Sequence, residues 1–235
     1  MNLALIPARG GSKRIPRKNM KCFLGKPILQ YSIDLAKSAG LFDEIIVSTE
    51  DIEIENFAAK HGVKAPFRRS EKNANDFATL SDVLLEVLTE YQKLGMQFAN
   101  VCVILPTAPL ITHEILNEAY RKLITSHFSA VIPLVKYSHP IQRALKVLNN
   151  SGKTAIIDPK SALMRTQDCA ETYYDSGQFY WINVKQFLIE KKILMKNAGS
   201  IELMPEQCHD IDSMNDWIIT EMKYKWLYSQ YSKMA

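Results

Sequence analysis

Leu3-Ala-Leu-Ile-Pro-Ala-Arg-Gly-Gly-Ser-Lys-Arg-Ile-Pro-Arg-Lys-Asn19 joins a short apolar run to a loop crowded with cations. Residues 3–6 read as a buried strand. The Gly-Gly-Ser-Lys that follows reads as an anion-binding turn. Small residues let backbone N–H groups approach phosphate oxygens, and the cations neutralise the charge. Residues 1–33 hold seven basic residues and no acid, and the first acid is Asp34. Two readings fit the loop. In one it cradles a triphosphate, with Arg9, Lys13 and Lys18 as cations and Gly10, Gly11 and Ser12 as N–H donors. In the other it is a solvated basic loop. Gly-Gly directly after a buried strand favours the cradle. The spacing is neither the GxxxxGK[ST] of a Walker A loop nor the GxGxxG of a dinucleotide fold.

Outward from this loop, strand and helix patterns alternate. Apolar positions 28, 31, 33, 35 and 36 predict a helix over 27–38, opened by proline and closed by Gly40. Residues 44–48 read as a second strand, and Asp51 caps a helix to 61. A short strand is expected near 63–67, then a long amphipathic helix over 79–94. A fully apolar strand over 101–105, a helix from Thr112 to about 126 and a strand over 130–135 follow. The series predicts a three-layer α/β/α sandwich with a mostly parallel sheet, whose ligands bind at the carboxyl ends of the strands. Turn signals at His139-Pro140, Asn149-Asn-Ser-Gly152 and Asp158-Pro159 mark 136–176 as an insertion arm within one domain of 1–235. A hairpin over 143–157 is expected in it. Residues 178–182 return to the core, 201–204 form a last strand, and Ser213 caps a helix to about 231.

Composition narrows the function. The net charge of +4 is concentrated in the first loop, because the residues after 33 carry 22 basic against 25 acidic groups. A general nucleic-acid binder spreads its cations along a face, so nucleic acid is not an expected partner. Cys22, Cys102, Cys169 and Cys208 form no CxxC pair and read as reduced thiols. The five histidines show no metal-binding spacing. The opening apolar run is too short for a signal peptide, and no run reaches the ~20 residues of a membrane helix. The expectation is a soluble cytoplasmic chain.

Two further constellations carry chemistry. Asp210 and Asp212 stand at i and i+2, so on an extended segment both carboxylates face one side, as a hard cation requires. Asp216 follows four residues on. The competing role is helix capping, since Asp212 and Ser213 stand where the last helix begins. The segment from Arg165-Thr-Gln-Asp168 to Tyr173-Tyr-Asp-Ser-Gly-Gln-Phe-Tyr-Trp181 offers hydrogen-bonding groups for a polyhydroxylated ligand, or else a strand with aromatic packing. Pro106-Thr107-Ala-Pro109 is a rigid turn at the end of a buried strand. Arg68-Arg69 and Asn75-Asp76 line a loop able to recognise a base.

With these motifs the chain resembles the CMP-sialic acid synthetase family of cytidylyltransferases nearly end to end. The likeness rests on Ile6-Pro-Ala-Arg-Gly-Gly-Ser-Lys13, Pro16-Arg-Lys-Asn19, Gly25-Lys-Pro27, Val47-Ser-Thr-Glu-Asp51, Pro106-Thr-Ala-Pro109 and Asp210-Ile-Asp212. Within the family it is most similar to the pseudaminic acid cytidylyltransferases, through His139-Pro-Ile-Gln-Arg-Ala144, Arg165-Thr-Gln-Asp168 and Tyr174-Asp-Ser-Gly-Gln-Phe-Tyr-Trp181. The sialic-acid version of the last motif has Arg-Pro-Asn-Gly where this chain has Tyr174-Asp-Ser-Gly177. It also has Gln where this chain has Leu105. Tyr174 departs from the Tyr-His-Asp common among pseudaminic enzymes. Kdo cytidylyltransferases carry Leu-Pro-Gly-Lys in place of Ile15-Pro-Arg-Lys18.

The resemblance implies a nucleotide-diphospho-sugar transferase-like fold. It also implies transfer of CMP from CTP to a nonulosonic acid, most similar to pseudaminic acid, with release of pyrophosphate. CMP-N-acetylneuraminate or CMP-legionaminate synthesis is the alternative, and a nucleotide- or RNA-binding protein is the alternative outside enzymes. By resemblance, Arg9, Gly10, Ser12, Lys13 and Lys18 hold the triphosphate, and Asn19, Arg69, Ala74 and Asp76 surround cytosine and ribose. Thr107, Arg165, Tyr174, Asp175 and Gln178 meet the sugar. Asp210 and Asp212 hold Mg²⁺, for which Mn²⁺ can substitute. Arg9, Lys13, Lys18 and Asp212 then carry the catalysis. The arm resembles a dimerisation arm, with Lys146 and Arg165 as residues that reach the partner's sugar site. The implied role is bacterial surface or flagellar glycosylation.

Overall fold

Alternating side-chain direction along β1 (Asn2–Pro7) sends Leu3 and Leu5 to one face of a sheet and Ala4 and Ile6 to the other, and all four are fully buried. Only a strand covered on both sides buries every residue in this way. The computed structural model describes residues 1–63, 65–148 and 152–234. After the basic loop, a tight hairpin of β2 (Cys22–Phe23) and β3 (Lys26–Pro27) leads into α1 (Ile28–Ser38). Next come β4 (Glu44–Ser48), α2 (Ile52–Lys60), the single-turn α3 (Glu71–Ala74) and α4 (Leu80–Lys93). β5 (Asn100–Ile104), α5 (His113–Thr125) and β6 (Ala130–Lys136) complete the first half. The arm carries β7 (Leu145–Leu148) and β8 (Lys153–Ile156), a separate antiparallel pair. The turn expected at 149–151 lies outside the described residues. β9 (Tyr173–Asp175), β10 (Phe179–Asn183), α6 (Val184–Glu190), β11 (Ala198–Glu202) and α7 (Met214–Met234) close the chain.

The main sheet runs β11-β6-β10-β5-β1-β4, with β9 also paired to β6. β4, β1, β5, β6 and β11 point one way, while β10 and β9 oppose their neighbours. β10 meets the start of β6 at Ala130 and Val131, and β9 meets its end at Leu134–Lys136. A break at 176–178, with Gly177 in the left-handed region (φ 64), separates the two strands. Asp175 therefore stands just beyond the carboxyl end of β5, whose Ile104 pairs with Phe179.

The helices form the two outer layers. Leu29 and Ile33 of α1, Ile54 of α2 and Leu116 of α5 share a core with Ala4, Ile6, Cys102 and Trp181. Leu84 and Val87 of α4 and Phe187 of α6 cover the opposite face with Leu3, Leu5, Val101 and Ile182. This is the expected three-layer sandwich. A third, smaller cluster joins Ile15 of the basic loop to Phe23, Ile28, Ile211 and Trp217, fastening the loop to the start of α7.

Two local expectations need correction. No strand forms among the described residues of 63–67; Val63 N–H closes onto Ala58 O at the end of α2, and Pro66 offers no N–H to a neighbouring strand. The last strand lies earlier than expected, at Ala198–Glu202, because its register with β6 pairs Ala198 with Ala130 and Glu202 with Leu134. Met204 instead begins the Pro205–Gln207 turn.

Candidate active site

The basic loop leaves β1 at its carboxyl end, where the chain must turn between the sheet and α1. Ile15, 1% exposed, anchors its middle, so the flanking cations are held outward around an apolar pin. The Asn19 amide donates to Arg9 O at 2.9 Å and ties the two ends of the loop together. Its Oδ1 is buried without a partner. A cleft of about 480 Å³ opens here, lined by Arg9, Ser12, Lys13, Lys18, Asn19 and Arg69 with Asn73, Asp76 and Thr107.

Arg9, Lys13 and Arg14 are engaged with acids. Asp76 bridges Arg9 (2.6 Å) and Lys13 (2.5 Å), and these bonds, the Lys13 one foremost, hold its carboxyl below the usual range. Arg14 pairs with Asp212 at 2.7 Å. Lys18 Nζ donates to Ile211 O at 2.6 Å. Burial pulls the Lys18 ammonium down, and the charges of Asp212 and Asp210 offset part of that pull. Arg69 is 7% exposed and donates to Ser48 Oγ at 3.0 Å, bracing the end of β4. Arg68 turns away to Glu55 at 2.7 Å, so only the second of the two arginines faces the cleft.

Gly10 corrects an expectation. Its N–H already donates to Glu50 Oε1 at 2.7 Å and is not free for phosphate. What requires glycine there is space: a Cβ would lie 2.2 Å from Asp51 Oδ2. Asp51 in turn caps α2 by accepting from Glu53 N and Ile54 N, and it pairs with Arg17. Glu50, Arg14 and Arg17 were not singled out in the sequence. The acids at 50, 51 and 53 facing the cations of 9–18 were the available signal. Gly11 and Ala74 do not themselves line the cleft; their neighbours Ser12, Asn73 and Asn75 do.

Asp210 and Asp212 flank the buried Ile211, so both carboxylates face outward from one anchored point. Loss of water around its oxygens, and then the like charge of Asp212, push the Asp210 carboxyl up. Two carboxylates opposed in this way suit a hard cation that takes its remaining oxygens from phosphate and water. Among the described residues no group of three or more His, Cys, Asp or Glu side chains is placed to hold a metal. Asp216 does not join the pair. It accepts from Ser213 N and Oγ, both at 2.7 Å, and from Asp212 N, as the first-turn acid of α7, which holds its carboxyl down to about 2.

The residues expected at the sugar divide. Thr107 lines the cleft. Tyr174 and Asp175 are exposed beyond β5, and the Tyr174 ring packs at a tilt of 55° against Tyr137, centroids 5.0 Å apart. Gln178 is 1% exposed and turns inward, donating to Ser176 O and His209 O. It braces the sugar segment against the acidic segment and does not face the cleft. Arg165 is exposed on the arm, outside this cleft.

Residues 3–223 match the family described as Cytidylyltransferase. The chain belongs to that family. As a cytidylyltransferase it is 38% identical to the pseudaminic acid cytidylyltransferase of Campylobacter jejuni, over 95% of this chain and 96% of that protein. It is 27% identical to the CMP-N,N'-diacetyllegionaminic acid synthase of Legionella pneumophila, over 93% and 94%. The solved structure of a CMP:2-keto-3-deoxy-manno-octonic acid synthetase complexed with CTP superposes with a TM-score of 0.69 over 98% of this chain and 99% of that one. At 19% identity that likeness establishes the cytidylyltransferase fold. No described helix is long and apolar enough to cross a membrane.

Proposed function

We propose that this cytidylyltransferase transfers CMP from CTP to the anomeric 2-hydroxyl of pseudaminic acid. The observation that carries the reading is the group of Arg9, Lys13, Arg14 and Lys18 lining the cleft after β1, with the Asp210–Asp212 segment tied to that loop by Arg14–Asp212 and by Lys18 Nζ to Ile211 O. The choice of sugar rests on full-length similarity to a pseudaminic enzyme, greater than that to a legionaminic one.

The sugar 2-oxygen attacks the α-phosphorus, the bond from that phosphorus to the β-bridging oxygen breaks, and pyrophosphate leaves. The hydroxyl proton passes to a carboxylate beside the site. Arg9, Lys13 and Lys18 hold the triphosphate oxygens and meet the charge that grows on them, each contact contributing on the order of 2–4 kcal/mol to the transition state. Asp210 and Asp212 would hold Mg²⁺, or Mn²⁺ in its place, which would supply further charge neutralisation and acidify the attacking hydroxyl. Asn19 and Arg69 border the nucleoside end, and Thr107, Tyr174 and Asp175 the sugar end.

The arm supports a homodimer. β7 and β8 form a two-stranded sheet of their own, and Leu145 and Val147 are 64% and 67% exposed. Isolated hairpins are marginal in water, and a second copy would cover these side chains. Lys146 projects from the face of β7 opposite to Leu145 and Val147, which leaves Arg165 as the arm residue that would reach the partner. The protein would work in the cytoplasm, with no nucleic acid as partner, and feed surface or flagellar glycosylation.

The test is pyrophosphate release from CTP and Mg²⁺ with pseudaminic, legionaminic or N-acetylneuraminic acid in separate reactions. Release with pseudaminic acid alone is expected. Release only with another of these acids would overturn the substrate and keep the reaction. No release, with salt-sensitive binding to oligonucleotides, would overturn the enzymatic reading.

A further inference from the structure

Tyr180 lies on β10, 7% exposed, paired in register with Val103 of β5. Its ring belongs to the core, yet its hydroxyl leaves the core and donates to Asp175 Oδ2 at 2.8 Å. The Gly177 N–H donates to Asp175 Oδ1 at 2.9 Å, a turn that the left-handed Gly177 backbone closes. A carboxylate oxygen accepts two hydrogen bonds, so Asp175 keeps one open acceptor position on each oxygen. The residue itself is exposed beyond the end of β5.

The chain thus fixes a carboxylate from below and from one side and leaves its outer edge bare. That edge takes two hydroxyl or amide N–H donors, the groups an acylated amino-sugar acid presents. A buried tyrosine hydroxyl needs a partner, and the partner here is an exposed acid rather than the backbone. Burial, Asp175 and then Asp210 push the phenol far up, so it remains a donor at any working pH.

We infer that Tyr180 is a positioning residue for the sugar acid, its hydroxyl locking Asp175 so that the two open acceptor positions meet donors on the sugar. The inference rests on Asp175 being a sugar contact.

Steady-state kinetics with pseudaminic acid and CTP test it on Tyr180→Phe, Asp175→Ala and the double variant. Tyr180→Phe keeps the ring in the core and leaves Asp175 open to water, so the fold should survive. The expected result is a rise of about tenfold in KM for the sugar. KM for CTP and the melting temperature should stay near wild type. Adding Tyr180→Phe to Asp175→Ala should then change nothing further. If Asp175→Ala raises the sugar KM and Tyr180→Phe does not, the positioning role is overturned and the contact stands. An unmoved sugar KM in Asp175→Ala overturns the contact itself. A parallel rise in both KM values with a lower melting temperature would make Tyr180 ordinary core support and overturn the inference.

Discussion

Asp76 Oδ1 lies 2.6 Å from Arg9 Nη1, so a carboxylate sits on a cation proposed to hold the triphosphate. Lys13 closes on the other oxygen. The two bonds join the loop after β1 to the loop before α4, and on the proposed function CTP would have to displace Asp76 to reach both cations. Because those cations hold the Asp76 carboxyl below its usual range, the competition persists across working pH. Asp76→Asn removes the rival charge. The dissociation constant for CTP should fall severalfold at low salt, and the gain should shrink as salt rises. Calorimetric titration at two ionic strengths checks this. Weaker binding would make Asp76 a nucleotide contact, as the resemblance implies.

Gly10→Ala should cost stability through α2. The added Cβ meets Asp51 at 2.2 Å, and Asp51 cannot move without releasing the first turn of α2 and Arg17. Loss of such a cap is expected to cost about 1–2 kcal/mol in urea unfolding. Gly11→Ala is the control, since its Cβ meets nothing within 4 Å. Equal losses in the two variants would show that the close approach at Gly10 is unimportant.

The layers were legible because burial follows period. Leu3–Ile6 and Val101–Ile104 are apolar at every position, which only a doubly covered strand permits. Asp51 announced its helix by capping chemistry that the structure repeats. Strand direction was not legible: nothing local in Phe179–Asn183 says that it runs against β5 and β6, since direction follows from where the arm returns the chain. At the site, the identity of the cations was readable from their density, but their partners were not. Gly10 N–H going to Glu50, and Gln178 turning inward to His209 O, are contacts between segments far apart in sequence.

Acid should weaken the anchor of α7. Bonds from Ser213 and Asp212 hold the Asp216 carboxyl at about 2, below the ~3.9 of an unfolded aspartate. A folded-state value below the unfolded one gives stability that is full above about pH 4 and is lost as pH falls towards 2. Asp216→Asn lacks this contribution at every pH. The gap in melting temperature between wild type and variant should therefore be widest near neutrality and close between pH 4 and 2. A gap that stays constant with pH would deny Asp216 its charged role.

The sharpest test of the acidic pair is Asp212→Ala. Arg14 holds Asp212 at 2.7 Å, and buried Ile211 fixes the backbone beneath it, so the substitution removes an oxygen donor without removing the anchor. With saturating CTP and excess Mg²⁺, kcat should fall by about hundredfold or more, the scale of losing a preorganised charge at a phosphoryl centre. A second readout is independent of turnover. Mg²⁺ should raise the melting temperature of wild type in the presence of CTP, because a ligand bound only by the folded state stabilises it. In Asp212→Ala that increment should vanish, while Arg14→Ala, which frees Asp212 but leaves both carboxylates, should retain it. A normal Mg²⁺ increment in Asp212→Ala would place the metal elsewhere and leave Asp212 as the partner of Arg14 alone.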